Sequence, residues 1–231
     1  YIGMSSDSAI SYDLGILKPG ETREFCMYIY ISSGDDSLTE IQEQIEKVRR
    51  LDVNKEINKV IKHWKKYVED HDTLKLKSDG SDYMDKIIQI YKRTILLMAL
   101  LINERTGGIS ASVEVDEERD KCGRYAYCWP RDSVLVYKAM DFIGFENMSK
   151  KLYENFLRKT QEKNGMWEQR FYTDGRLAPC WGYQIDETAT VVYGAYRHFL
   201  VMTRKTGKKD KKFLKDNLKM LEKATKFLEK Y

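Results

Sequence analysis

The spacing of apolar residues changes near Gly34, and that change constrains the fold more than any other feature. Before it, "REFCMYIYI" alternates, with Phe25, Met27, Ile29 and Ile31 on one face and Cys26, Tyr28 and Tyr30 on the other. A period of two predicts a strand, and "KPGE" ahead of it is a turn, with Pro19 and Gly20 at positions turns favour. After Gly34 the spacing becomes three and four. Leu38, Ile41, Ile45 and Val48 form one such series, and Ile57, Val60, Ile61, Trp64 and Val68 a second. That is the stripe of an amphipathic helix. Further helices are expected over about 82–103, 133–143, 147–163, 187–205 and 210–231, with Gly144 and Gly207 as C-terminal caps. Helix pairs recur, so the expected body is all-α, built of stacked hairpins.

Two long interruptions break this regularity, from Asn103 to Asp132 and from Asn164 to Asp186. Long loops inside a compact helical domain are more often functional than idle. Three of the four tryptophans fall in them, Trp129, Trp167 and Trp181; the fourth, Trp64, lies on a linker-helix face. Beside them stand Arg131, Asp132, Arg170, Tyr172, Tyr183, Asp186 and Glu187. Flat aromatic faces next to an Arg–carboxylate pair suit a polyhydroxylated ring. The C–H faces of a sugar pack on indole, while Arg and Asp donate to and accept from adjacent hydroxyls. Breaking a glycosidic bond needs, in addition, two carboxyl groups, one of them protonated. Glu187 is the candidate acid: a helix start lowers its pKa, and burial with a neighbouring carboxylate raises it. The plain alternatives are structural. Asp132 and Asp186 suit helix N-caps, Glu187 suits a first-turn carboxylate, and tryptophans suit packing anchors.

Composition excludes several other classes. A net charge of +4, with lysines spread along helix faces, is not a nucleic-acid footprint, and the Lys-rich 205–230 stretch reads as a wet helix face. The longest apolar run, Ile95 to Ile102, falls well short of the roughly 20 residues a bilayer needs. The four cysteines are not closely paired and no histidine lies near Cys122 and Cys128, so neither a disulfide scaffold nor a zinc site is expected. The acidic run from Glu114 to Asp120 lacks the calcium-loop spacing. No metal or cofactor is expected, and a reducing cytoplasm is the expected compartment. The chain opens on Tyr1 and closes inside an amphipathic pattern, as a piece of a longer polypeptide would.

The strings "YAYCWPRDS", "GMWEQRFYTDGRLAP" and "YQIDETATVV", in this order, together with "GGISAS" and "LGILKPGE", resemble the prokaryotic glucoamylase-like branch of glycoside hydrolase family 15. The resemblance covers nearly the whole chain. It implies the C-terminal part of a β-sandwich over residues 1–33, a helical linker over 34–78, and the first helices of a six-hairpin α/α toroid over 79–231. It also implies that Arg131 and Asp132 hold hydroxyls at the far edge of a terminal glucose and that Glu187 is the general acid. Trp129, Trp181 and Tyr172 would wall the first sugar site. The implied activity is exo-acting and inverting, releasing glucose from non-reducing ends of α-glucans. Trehalases and enzymes acting on dextran or isomalto-oligosaccharides share these motifs. A non-catalytic homologue, like the regulatory subunits of phosphorylase kinase, is a rival of another class, and a plain helical interaction module is a third. The family's general base is a glutamate in a later loop, and no second such glutamate follows Glu187. The resemblance therefore implies that the base belongs to the remainder of the polypeptide and that this piece alone is inactive.

Overall fold

The computed structural model describes residues 11–31, 37–113, 125–180 and 182–231. They are mainly helical, and no helix among them is long and apolar enough to cross a membrane. The chain divides into two compact units, Tyr1–Lys62 and His63–Tyr231.

In the first unit, helix α1 (Leu38–Arg49) begins on a capping box. Ser37 Oγ accepts from Glu40 N–H at 3.3 Å, and the Glu40 carboxylate accepts from Ser37 N–H at 2.8 Å. Two first-turn donors are thereby satisfied without water. Helix α2 (Val53–His71) follows and continues into the second unit. The alternating segment 23–31 forms no strand among the described residues. Phe25, Met27, Ile29 and Ile31 are exposed, and so are Tyr28 and Tyr30 on the other face. Alternation marks which side chains share a face, but a strand exists only where a neighbour takes its backbone N–H and C=O groups. Residues 1–10 and 32–33 of the expected sandwich segment lie outside the described residues.

The second unit holds α3 (Asp82–Leu101), α4 (Pro130–Met140), α5 (Glu146–Lys151), α7 (Ile185–Thr206) and α8 (Lys211–Leu228). Helix α5 runs through a π-helical turn, Leu152–Leu157, into the short α6 (Arg158–Thr160). Short polar side chains start α3 and α8: Ser81 Oγ accepts from Met84 N–H at 3.2 Å, and Asp210 Oδ1 from Phe213 N–H at 2.9 Å. Gly207 ends α7 in the left-handed conformation, φ +68°, which costs a residue without Cβ little.

Helix α7 is the centre of the unit, packed on α4, α8 and α5. Its Gly194 lets α4 come close, because a Cβ there would collide with Val134 Cγ1 and the Tyr153 hydroxyl. Around it lie Val134, Tyr137, Tyr153, Phe156, Val191, Ala195 and Phe213, all essentially inaccessible. One polar pair is sealed into this core: Asp141 at the end of α4 and His198 of α7, Oδ2 to Nδ1 at 2.9 Å.

Helices α4 and α7 begin earlier than apolar spacing suggests. Proline's fixed φ suits a first helical position, so α4 starts at Pro130 with Trp129 as its N-cap residue, and α7 starts at Ile185 behind Gln184. Asp132 and Asp186 therefore sit inside the first turns and are not caps.

Candidate active site

The two long loops are stitched to one another before they reach the helices. Cys128 and Phe171 exchange both backbone hydrogen bonds, at 2.7 and 2.8 Å, and Phe171 also pairs with Leu177. Thr106 Oγ1 donates to Thr173 O at 2.5 Å. Gly107 takes φ +80° against the Leu152 backbone, and its carbonyl accepts from the Tyr137 hydroxyl at 2.7 Å. The second loop is tied to α7 by Trp167 N–H, which donates to Thr188 Oγ1 at 3.1 Å. These ties fix where Trp129 and Gln184 hand over to α4 and α7, and the first turns of those helices meet.

At that meeting, one guanidinium holds three carboxylates. Arg131 Nη1 lies 2.7 Å from Asp186 Oδ2, 3.1 Å from Gln184 Oε1 and 3.2 Å from Glu187 Oε1, and Nη2 lies 3.4 Å from Asp132 Oδ2. Asp132 and Asp186 keep roughly half of their side chains in solvent, whereas Glu187 is 0% exposed. Glu187 Oε2 accepts from the Arg131 backbone N–H at 2.6 Å. A first-turn residue of α7 thus satisfies a free N–H at the start of α4. Its other oxygen, Oε1, is buried without a hydrogen bond.

Competing effects set the proton on Glu187. Burial disfavours the carboxylate, while the Arg131 N–H and the Arg131 charge favour it, and Asp132 and Asp186 disfavour it again. Burial prevails, and the pKa is pushed up to about 7. A carboxyl with that pKa is substantially protonated at neutral pH and can give the proton up there.

The aromatic residues form an adjoining cluster. The Trp129 ring lies 5.8 Å from Tyr125 and 6.2 Å from Tyr127, centroid to centroid, and Tyr127 meets Tyr172 at 5.4 Å. The Arg170 guanidinium stacks over Tyr127 at 4.9 Å and Trp129 at 5.6 Å, while its Nε donates to Pro179 O at 2.5 Å. Trp129 and Tyr172 thus share one cluster through Tyr127, and Trp129 adjoins the Arg131–Asp132 pair directly in the chain. Trp181 lies outside the described residues. Two aromatics of the second loop behave differently. Trp167 is 0% exposed, with Nε1 donating to Leu157 O at 2.9 Å, and is a packing anchor; Tyr183 is 70% exposed.

The sequence alone singles out neither Gln184 nor Tyr127, and it marks Arg170 only by its place beside the loop tryptophans. Gln184 stands three residues before Glu187, one helical turn away, which is the signal that could have found it. Cys128 is no nucleophile: burial pushes its thiol up to about 12, with the Ser133 hydroxyl 3.1 Å from Sγ. Among the described residues no group of His, Cys, Asp and Glu side chains could hold a metal ion, and Cys26, Cys128 and Cys180 are free thiols.

Fold and site together define a helical protein with a sequestered, protonatable carboxyl between two helix N-termini, beside an ion pair and an aromatic cluster. Comparison with known proteins adds one relative. Over 235 residues the chain is 28% identical to an uncharacterized glycosyl hydrolase of Methanocaldococcus jannaschii, covering 98% of this chain and 34% of that protein. The chain thus spans about a third of that relative's length. No family model matches the chain, and no solved structure matches it.

Proposed function

We propose that the chain is part of a glycoside hydrolase in which Glu187 is the general acid. The observation that carries this reading is the state of Glu187: fully buried, one oxygen without a hydrogen bond, and a pKa near 7. The likeness to a protein named a glycosyl hydrolase supports the reaction class. The finer reading, a glucoamylase-like, inverting exo-α-glucosidase, rests on the glucoamylase-like motifs that carry these same residues.

In this mechanism protonated Glu187 gives its proton to the glycosidic oxygen as the bond to the anomeric carbon breaks. The carboxylate left behind already has the Arg131 N–H and guanidinium to stabilise it. Arg131 and Asp132 take hydroxyls of the terminal sugar, and Trp129 with Tyr172 lines the apolar side of its ring. Inversion further needs a carboxylate to activate water, about 6.5–9.5 Å from the acid. Asp186 does not fit. Its carboxylate and that of Glu187 both contact Arg131 Nη1, which bounds their closest oxygens to within about 6 Å. Asp132 is committed to the sugar hydroxyls. Neither acid beside Glu187 fits the base, and the glucoamylase-like motifs imply a glutamate beyond these residues for that role.

The test uses the complete protein. Glu187→Gln keeps the size of the side chain but has no proton to give. Hydrolysis of maltose should fall by several orders of magnitude, while a glycosyl fluoride, whose leaving group needs little protonation, retains much more of its rate. Equal losses on both substrates would remove Glu187 from the acid role.

A further inference from the structure

A cleft of about 490 Å³ opens on the second unit, away from Glu187, where the C-terminal half of α2 faces the end of α3 and the turn before α5. It shares no residue with the cluster around Arg131. Its aromatic wall comes from α2 and the turn. Tyr67 stacks on His71 at 4.2 Å, and His71 packs on Phe145 at 4.5 Å. Trp64 meets Tyr67 at 5.5 Å and a steep angle, so no ring lies parallel on the indole.

The polar lining has a definite donor and acceptor pattern. His71 Nδ1 sits 2.8 Å from the Tyr67 carbonyl. A carbonyl only accepts, so Nδ1 carries the hydrogen and the neutral ring keeps Nε2 as an acceptor. The Tyr67 hydroxyl stays a donor, because burial and the nearby Glu104 charge push its pKa up. The side chains of Glu104 and Asn147 make no hydrogen bond or ion pair among the described residues. A carboxylate disfavours an anion. The Lys151 ammonium donates to the Glu104 backbone carbonyl at 2.9 Å and leaves the carboxylate free to accept from a ligand. A neutral ligand with an apolar face and several hydroxyls satisfies all of these groups.

We infer that this cleft is a second carbohydrate site, in which Trp64 carries one or two pyranose rings of an oligosaccharide while Glu104 and Asn147 take its hydroxyls. The choice of ligand rests on the glycoside-hydrolase reading. The site holds a glucan chain without acting on it, so its effect depends on chain length: short substrates reach Glu187 unaided, and long ones gain residence.

Maltoheptaose is the probe. Binding to the chain carrying Arg131→Ala, which weakens the Glu187 cluster, is measured by calorimetry and by the tryptophan indole N–H signals in NMR. Trp64→Ala in that background should weaken binding about tenfold, the loss of one ring contact worth ~1.4 kcal/mol. Trp64→Phe, which keeps a ring and guards against misfolding, should restore part of it. In the complete protein, Trp64→Ala should leave kcat/KM on maltose unchanged and raise KM on long soluble α-glucan several-fold. Absence of binding in the Arg131→Ala chain, or binding indifferent to Trp64→Ala, overturns the second site. Failure of the hydrolase reading is separate: the unmutated complete protein would release no glucose from maltose or soluble starch, whatever Trp64 does to maltoheptaose binding.

Discussion

Replacing Glu187 with glutamine should change how stability depends on pH, and the size of the change follows from the site. An exposed glutamate titrates near 4.5, whereas folding pushes Glu187 up to about 7. Between these values the native state holds a proton that the unfolded chain has released, so stability falls as pH rises through that window. Below pH 4.5 both states are protonated and nothing is lost. Each pH step at full effect is worth about 1.4 kcal/mol, so the loss between pH 5 and pH 8 is about 2–3 kcal/mol. Glutamine does not titrate and carries no such loss. Its Oε can still accept from the Arg131 N–H. Carboxylates outside the Arg131 cluster are common to both proteins and cancel in the difference. Thermal unfolding of the two chains, followed by near-ultraviolet circular dichroism at pH 5 and pH 8, gives the measurement. The gap should shift in favour of Glu187→Gln by roughly 5–10 °C on going to pH 8, at the 2–4 °C per kcal/mol of a chain this long. Parallel pH dependences would refute the claim that burial prevails over Arg131 at this carboxyl.

In the complete protein, Arg131→Ala and Asp132→Ala should each lower kcat/KM on maltose by about 2–4 kcal/mol of transition-state binding; near-unchanged values for both would show a purely structural pair. Arg131→Ala should also move the acidic group seen in the pH–rate profile upward, because the lost charge favoured the Glu187 carboxylate, and an unmoved profile would detach that group from Glu187. The 231-residue chain alone should release no glucose from maltose or soluble starch, and release by it would show that the water-activating carboxylate lies within these residues.

What the sequence determined by itself was local. A stripe of apolar residues at three and four spacing folds into a helix wherever it can be buried; Ser37, Ser81 and Asp210 start helices by accepting from N–H groups three residues on, and Gly207 closes one by its left-handed φ. The sugar-site chemistry was legible for a similar reason: Arg131 with Asp132, and Asp186 with Glu187, are chain neighbours, and each pair shares a first helical turn. The tertiary structure decided what no window of sequence contains. Trp167 and Trp129 look alike in their loops and both are buried, yet Thr188 and Leu157 hold the first while Arg170 stacks on the second. The alternation in 23–31 could state a face but supply no partner strand among the described residues. Most of all, the proton on Glu187 depends on removing its carboxyl from water, a sum over loops and helices brought from 56 residues away. Solvation is a property of the whole assembly, so a charge state that follows from it appears only once the chain has folded.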